Sequence, residues 1–121
     1  MNRLAKGTDR IFIVAGYTDM RLGIDGLATL VRYQFDLDPQ SNCLFLFCGR
    51  RSDRIKGLLW QEDGFLLLYK RIDNGRFKWP RDKNEVRELS EQQLKWLLEG
   101  LSPVQKTTIK RWDKNAFSAL N

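Results

Sequence analysis

Two dipeptides, Asp63-Gly64 and Asn74-Gly75, constrain this chain more than any other feature. A two-residue type I′ turn needs positive φ at both central positions, and Asp-Gly and Asn-Gly are the pairs that tolerate it. They punctuate the stretch CLFLFCGRRSDRIKGLLWQEDGFLLLYKRIDNGRFKWP, Cys43 to Pro80. Cys43–Cys48 is a continuous apolar run closed by Gly49. Arg54–Trp60, Phe65–Ile72 and Arg76–Trp79 follow, so the stretch reads as four short antiparallel strands in a meander.

Taking both dipeptides as central pairs sets a register: Trp60 opposite Leu67, Leu58 opposite Tyr69, Lys56 opposite Arg71, and Arg71 opposite Lys78. Alternation then places Arg54, Lys56, Trp60, Tyr69, Arg71, Arg76 and Lys78 on one face. Ile55, Leu59, Leu66, Leu68, Ile72, Phe77 and Trp79 share the other, which is the expected core. Cations interleaved with aromatic rings suit a polyanion, because the cations neutralise phosphate and the rings stack on bases or pack on sugars. The competing reading is a solvated face that Lys and Arg keep soluble. The turn Gly49-Arg50-Arg51-Ser52-Asp53-Arg54 sharpens the first reading. Its guanidinium groups offer bidentate phosphate contacts, with Asp53 holding one of them in place.

Charge distribution points the same way. Residues 1–42 carry five basic and five acidic side chains, residues 43–83 ten and five, and residues 84–121 six and five. Nearly all of the net charge of +6 therefore lies in the meander, which favours an anionic partner such as nucleic acid.

Outside the meander, Arg10–Gly16 reads as a first strand. Pro39 closes a helix from about Gly26 to Asp36, with an apolar stripe of Leu27, Leu30, Val31 and Phe35 and with Asp19 or Asp25 as its cap. Arg81–Glu88 reads as a polar connector. Ser90 and Gln93 then form a capping box that opens a helix from about Glu91 to Glu99, buried through Leu94, Leu97, Leu98 and Leu101. Trp96 falls off that stripe, to pack on the connector or to meet a partner protein. Residues 102–121 read as a basic tail or a short terminal helix. The whole is expected to be one α+β domain, an antiparallel meander sheet packed against flanking helices, over residues 1–101.

Several chemistries lack their residues. With no histidine there is no nucleophile–His–acid arrangement and almost no zinc ligand set. No Gly-rich phosphate loop of the GxxxxGKS or GxGxxG type is present. Cys43 and Cys48 stand five apart on one strand, hence on opposite faces, and are not expected to bridge. Asp19 and Asp25 are candidate Mg²⁺ ligands for phosphodiester cleavage, or simply a helix cap and a partner for Arg21. With no signal-like core and no run long enough to span a bilayer, a cytoplasmic protein is expected.

The residues also carry a resemblance. Thr18-Asp19-Met20-Arg21, Gly23 and Asp25-Gly26-Leu27 resemble a signature of the accessory protein TnpB, the second reading frame of IS66-family bacterial insertion sequences. Leu44-Phe45, Phe47, Gly49-Arg50-Arg51, Asp53-Arg54-Ile55-Lys56, Trp60, Asp63-Gly64, Tyr69-Lys70-Arg71, Gly75-Arg76-Phe77 and Trp79-Pro80 resemble that family's second block. Leu97-Leu98-Glu99-Gly100 resembles its closing helix, and the likeness runs from about Leu4 to Leu101. The resemblance implies a protein needed beside a separate and much larger transposase, with no catalytic role established for it; it is expected to be no enzyme and to hold no cofactor or metal. Two functional expectations follow. In the first, Arg50, Arg51, Arg54, Lys56, Arg71, Arg76 and Lys78 hold the DNA backbone, with Trp60 and Tyr69 as packing or stacking contacts. The second is an adaptor that binds the transposase through Thr18–Leu27 or Trp96. The motif Thr18, Asp19, Arg21 and Asp25 has no assigned role in the first.

Overall fold

A computed structural model describes residues 10–81 and 85–99. The expected lead at Met1–Gly7, Leu101 and the tail at 102–121 lie outside the described residues. Five strands form one sheet: β1 (Arg10–Val14), β2 (Cys43–Cys48), β3 (Arg54–Trp60), β4 (Phe65–Arg71) and β5 (Val86–Leu89), in the order β4-β3-β2-β1-β5. Helix α1 (Ile24–Thr29) continues as a π-helical turn over Leu30–Gln34, and α2 spans Glu91–Leu98. The architecture is α+β as expected, but the sheet is mixed. β2-β3-β4 form an antiparallel meander, whereas β1 runs parallel to β2 and antiparallel to β5.

Burial explains the layers. β2 is the middle strand and all six of its residues are buried, as a strand with both faces covered must be. On one face Ile11, Ile13, Leu44, Leu46, Ile55 and Leu59 pack with Leu94 and Leu97 of α2 and with Phe77 and Trp79. On the other, Phe12, Val14, Phe45, Phe47 and Leu58 pack with Leu27 and Val31 of the α1 segment. Cys43 and Cys48 fall into opposite clusters and are both free thiols. Burial pushes the Cys48 thiol up to about 11. The capping box is present: Ser90 Oγ accepts from the Gln93 amide and the Gln93 side chain accepts from the Ser90 amide.

Four expectations need correction. Trp60 pairs with Phe65, Lys56 with Tyr69 and Arg54 with Arg71, a register two residues from the expected one. The turn is a four-residue loop in which Glu62 takes φ 60° and the Gln61 amide donates to the Gly64 carbonyl. A slip of two preserves the faces, so the seven expected core residues all lie in or against one cluster. Arg76–Trp79 is not a strand: Asn74-Gly75 ends β4, and the chain then crosses beneath the sheet, where the Phe77 amide donates to the Ser52 carbonyl. The connector at 81–88 contains the start of β5, which pairs Val86–Leu89 with Val14–Ile11. Helix α1 opens earlier than expected, at Gly23, without a side-chain cap, and Asp25 sits in its first turn.

Candidate nucleic-acid interface

β1, α1 and β2 form a strand–helix–strand unit, so the loops after the carboxyl ends of two neighbouring parallel strands emerge side by side. One loop is Ala15–Arg21 and the other Gly49–Asp53. Between them lies a cleft of about 550 Å³ lined by Tyr17, Thr18, Asp19, Met20, Arg21, Gly49, Arg50, Arg51, Asp53 and Arg54. The Thr18–Arg21 motif and the arginine-rich turn, separate in the sequence, are thus the two walls of one site.

Backbone contacts fix these walls. The Thr18 amide donates to the Cys48 carbonyl at 2.8 Å, and Thr18 is the one buried polar residue among those described. Gly49 is buried beneath Met20, and a Cβ there would come within 2.6 Å of Met20 Cγ. Arg81 joins the loops: its guanidinium donates to the carbonyls of Gly16 and Gly49 and to Ser52 Oγ. Ser52 holds φ 63°, a left-handed conformation that costs a non-glycine residue ~1–2 kcal/mol. Bonds to Arg81 and Phe77 keep it there. Arg81 and Tyr17 were not singled out by the sequence, because nothing local marks them.

The electrostatics favour an anion. Asp19 accepts from Arg21 Nε and Nη2 at 3.0 and 2.8 Å and from the Arg21 amide at 2.9 Å. These bonds hold its carboxyl at about 2, so Asp19 is charged at any ordinary pH and is committed to Arg21. Asp53 lies 3.8 Å from Arg54 Nε. Among the described residues Arg50 and Arg51 have no carboxylate partner. The Arg50 guanidinium carbon lies over Tyr17, 4.2 Å from the ring centre. Arg54 and Arg71 face each other across β3 and β4, a like-charge pairing in which each guanidinium also lies beside a carboxylate, Asp53 for Arg54 and Asp73 at 4.0 Å for Arg71.

The other expected contacts divide. Tyr69 and Arg71 are exposed beside Arg54, and Arg76 is exposed with Nη1 donating to the Arg51 carbonyl. Lys56 is half-buried and its Nζ donates to the Leu22 carbonyl at 2.8 Å, tying β3 to the entry of α1. Trp60 packs edge-on against Phe65, 4.9 Å away. Lys78 is exposed between buried Phe77 and Trp79, on the strap over the opposite face. The cationic face is therefore no open sheet: α1 covers its Leu58 and Leu67 portion, and the arginines gather at one end. Asp25 lines a different depression, with Arg32, Tyr33 and Gln40, so it does not join Asp19.

The model of the IS66 Orf2-like proteins matches residues 9–108. The chain belongs to this family. IS66 Orf2-like proteins are accessory proteins associated with insertion sequences. Two uncharacterized proteins of Sinorhizobium fredii are similar to this IS66 Orf2-like chain. Protein y4hO is 39% identical over 93 residues, covering 76% of this chain and 80% of the relative. Protein y4jC is 30% identical over 109 residues, covering 88% and 93%. No solved structure matches the chain. Among the described residues, no helix is long and apolar enough to cross a membrane.

Proposed function

We propose that this chain is a non-catalytic accessory factor of insertion-sequence transposition that holds the DNA backbone at the arginine cleft, acting beside the element's transposase. The observation that carries the reading is the meeting of Arg50 and Arg51, which have no carboxylate partner among the described residues, with Arg21 and Arg54 in one concave site. Guanidinium forks match phosphate geometry, and a concave site concentrates their field. Arg71 and Arg76 extend the cationic track outside the cleft. Lys56 and Lys78 drop out of the contact set, the first because it supports the fold and the second because it lies on the other face.

The test is transposition frequency in cells in which Arg50, Arg51 and Arg71 are changed to Ser. All three residues are exposed, so the protein should accumulate normally. Transposition should fall, and binding of the purified variant to DNA should fall with it. A frequency equal to that of the unmodified protein contradicts the proposal. Lost transposition with DNA binding intact instead favours the transposase adaptor.

A further inference from the structure

The shape of the cleft says more than its charge. At about 550 Å³ it falls in the ~300–1,000 Å³ range of pockets that enclose a drug-sized ligand, the scale of one nucleotide rather than of a helical turn. A duplex can touch its rim but cannot enter. At its mouth Tyr17 is 55% exposed, with the Arg50 guanidinium carbon 4.2 Å and that of Arg81 5.9 Å from its ring centre. Aromatic rings and guanidinium planes are the surfaces on which unpaired bases stack. On the wall that carries Tyr17, Asp19 occupies only the Nε and Nη2 edge of Arg21, whose side chain is 91% exposed, leaving Nη1 for a phosphate.

We infer that the cleft takes one unpaired nucleotide of single-stranded DNA, its base on Tyr17 beside Arg50 and its phosphate between Arg51 and Arg21. The inference rests on the proposed role in DNA binding and narrows it to strands that are melted, tailed or nicked. Arg54, Arg71 and Arg76 then serve the adjoining phosphates. The rigid floor suits such a ligand: Thr18, Gly49 and Arg81 fix both walls before anything binds, so little ordering is needed on entry.

The test uses the full chain and three fluorescent probes of one sequence at fixed salt: single-stranded DNA, blunt duplex, and duplex with a short single-stranded tail. The single-stranded and tailed probes should bind at least about tenfold more tightly than the blunt duplex. Tyr17→Ala should weaken them by about tenfold, the loss of one stacked base, while moving the duplex far less, and Tyr17→Phe should restore them. Blunt duplex bound as tightly as single strand, or all three probes weakened equally by Tyr17→Ala, overturns the inference and leaves the DNA-binding reading standing. Absence of binding to every probe overturns both.

Discussion

Arg81→Ala tests whether the cleft is built by the fold. Arg81 supplies the Gly16 and Gly49 carbonyls and the Ser52 hydroxyl with donors from one guanidinium. A hydrogen bond to a charged group contributes ~1.5–3 kcal/mol. The acceptors are only partly buried and water can replace some of the donors, so we discount the sum to a net loss of ~2–4 kcal/mol. Ser52 adds to the effect, since its left-handed backbone loses its side-chain restraint and keeps only the backbone bonds to Gly49 and Phe77. With a urea slope of ~1–3 kcal/mol/M, the unfolding midpoint should fall by roughly 1–2 M at unchanged slope. Arg81→Lys keeps the charge but not the fork and should recover less than half of the loss. Circular dichroism during urea titration reads both variants. A midpoint for Arg81→Ala within about 0.3 M of the parent would refute the reasoning.

Other outcomes are as definite. A carboxyl titration followed by NMR should place Asp19 at about 2 against its usual 3.8, and Arg21→Ala should return it to the usual range. Because the folded value is depressed, the stabilisation is complete above pH 3.8 and is lost as pH falls toward 2. Asp19→Asn should therefore flatten the acid-unfolding curve in that window, and an unchanged curve counts against the pair. Gly49→Ala forces a Cβ within 2.6 Å of Met20 Cγ and should cost ~1–3 kcal/mol in urea unfolding. The double change with Met20→Ala should recover part of it, and a neutral single variant would show that Met20 moves freely. Ser90→Ala removes one half of the α2 capping box and should cost ~1 kcal/mol in the same assay.

What the sequence revealed and what it hid have separable causes. Period-two alternation identified the core face of β3 and β4, and it survived a wrong turn length because a two-residue slip keeps every side chain on its face. Asp63-Gly64 marks the turn but does not fix how many residues close it; Glu62 at φ 60° makes the loop longer. Asn74-Gly75 stops β4, yet Phe77 and Trp79 gain more by burial beneath the sheet than by pairing with it. β5 is only four residues with two charges, a strand made by its pairing to β1 rather than by its own preference.

The parallel pairing of β1 and β2 had a readable signal: strand, helix, strand between Arg10 and Cys48 is a βαβ pattern. That pairing is also what turns two unremarkable loops into one site. The arginine turn and the Thr18–Arg21 motif were each visible, whereas their meeting follows only from the crossover. Arg81 and Tyr17 carry no local mark at all, since their importance lies in what the topology sets beside them.

The central claim is that the arginine cleft and its rim hold DNA phosphates. The most direct measurement is a fluorescence-anisotropy titration over a salt series, comparing the parent with the Arg50, Arg51 and Arg71 to Ser variant. Each phosphate contact contributes ~0.9 to the slope of log affinity against log salt on duplex, so three lost contacts should make the slope shallower by about 2–3. Identical slopes for the two proteins, or no binding by the parent even at low salt, would contradict the account.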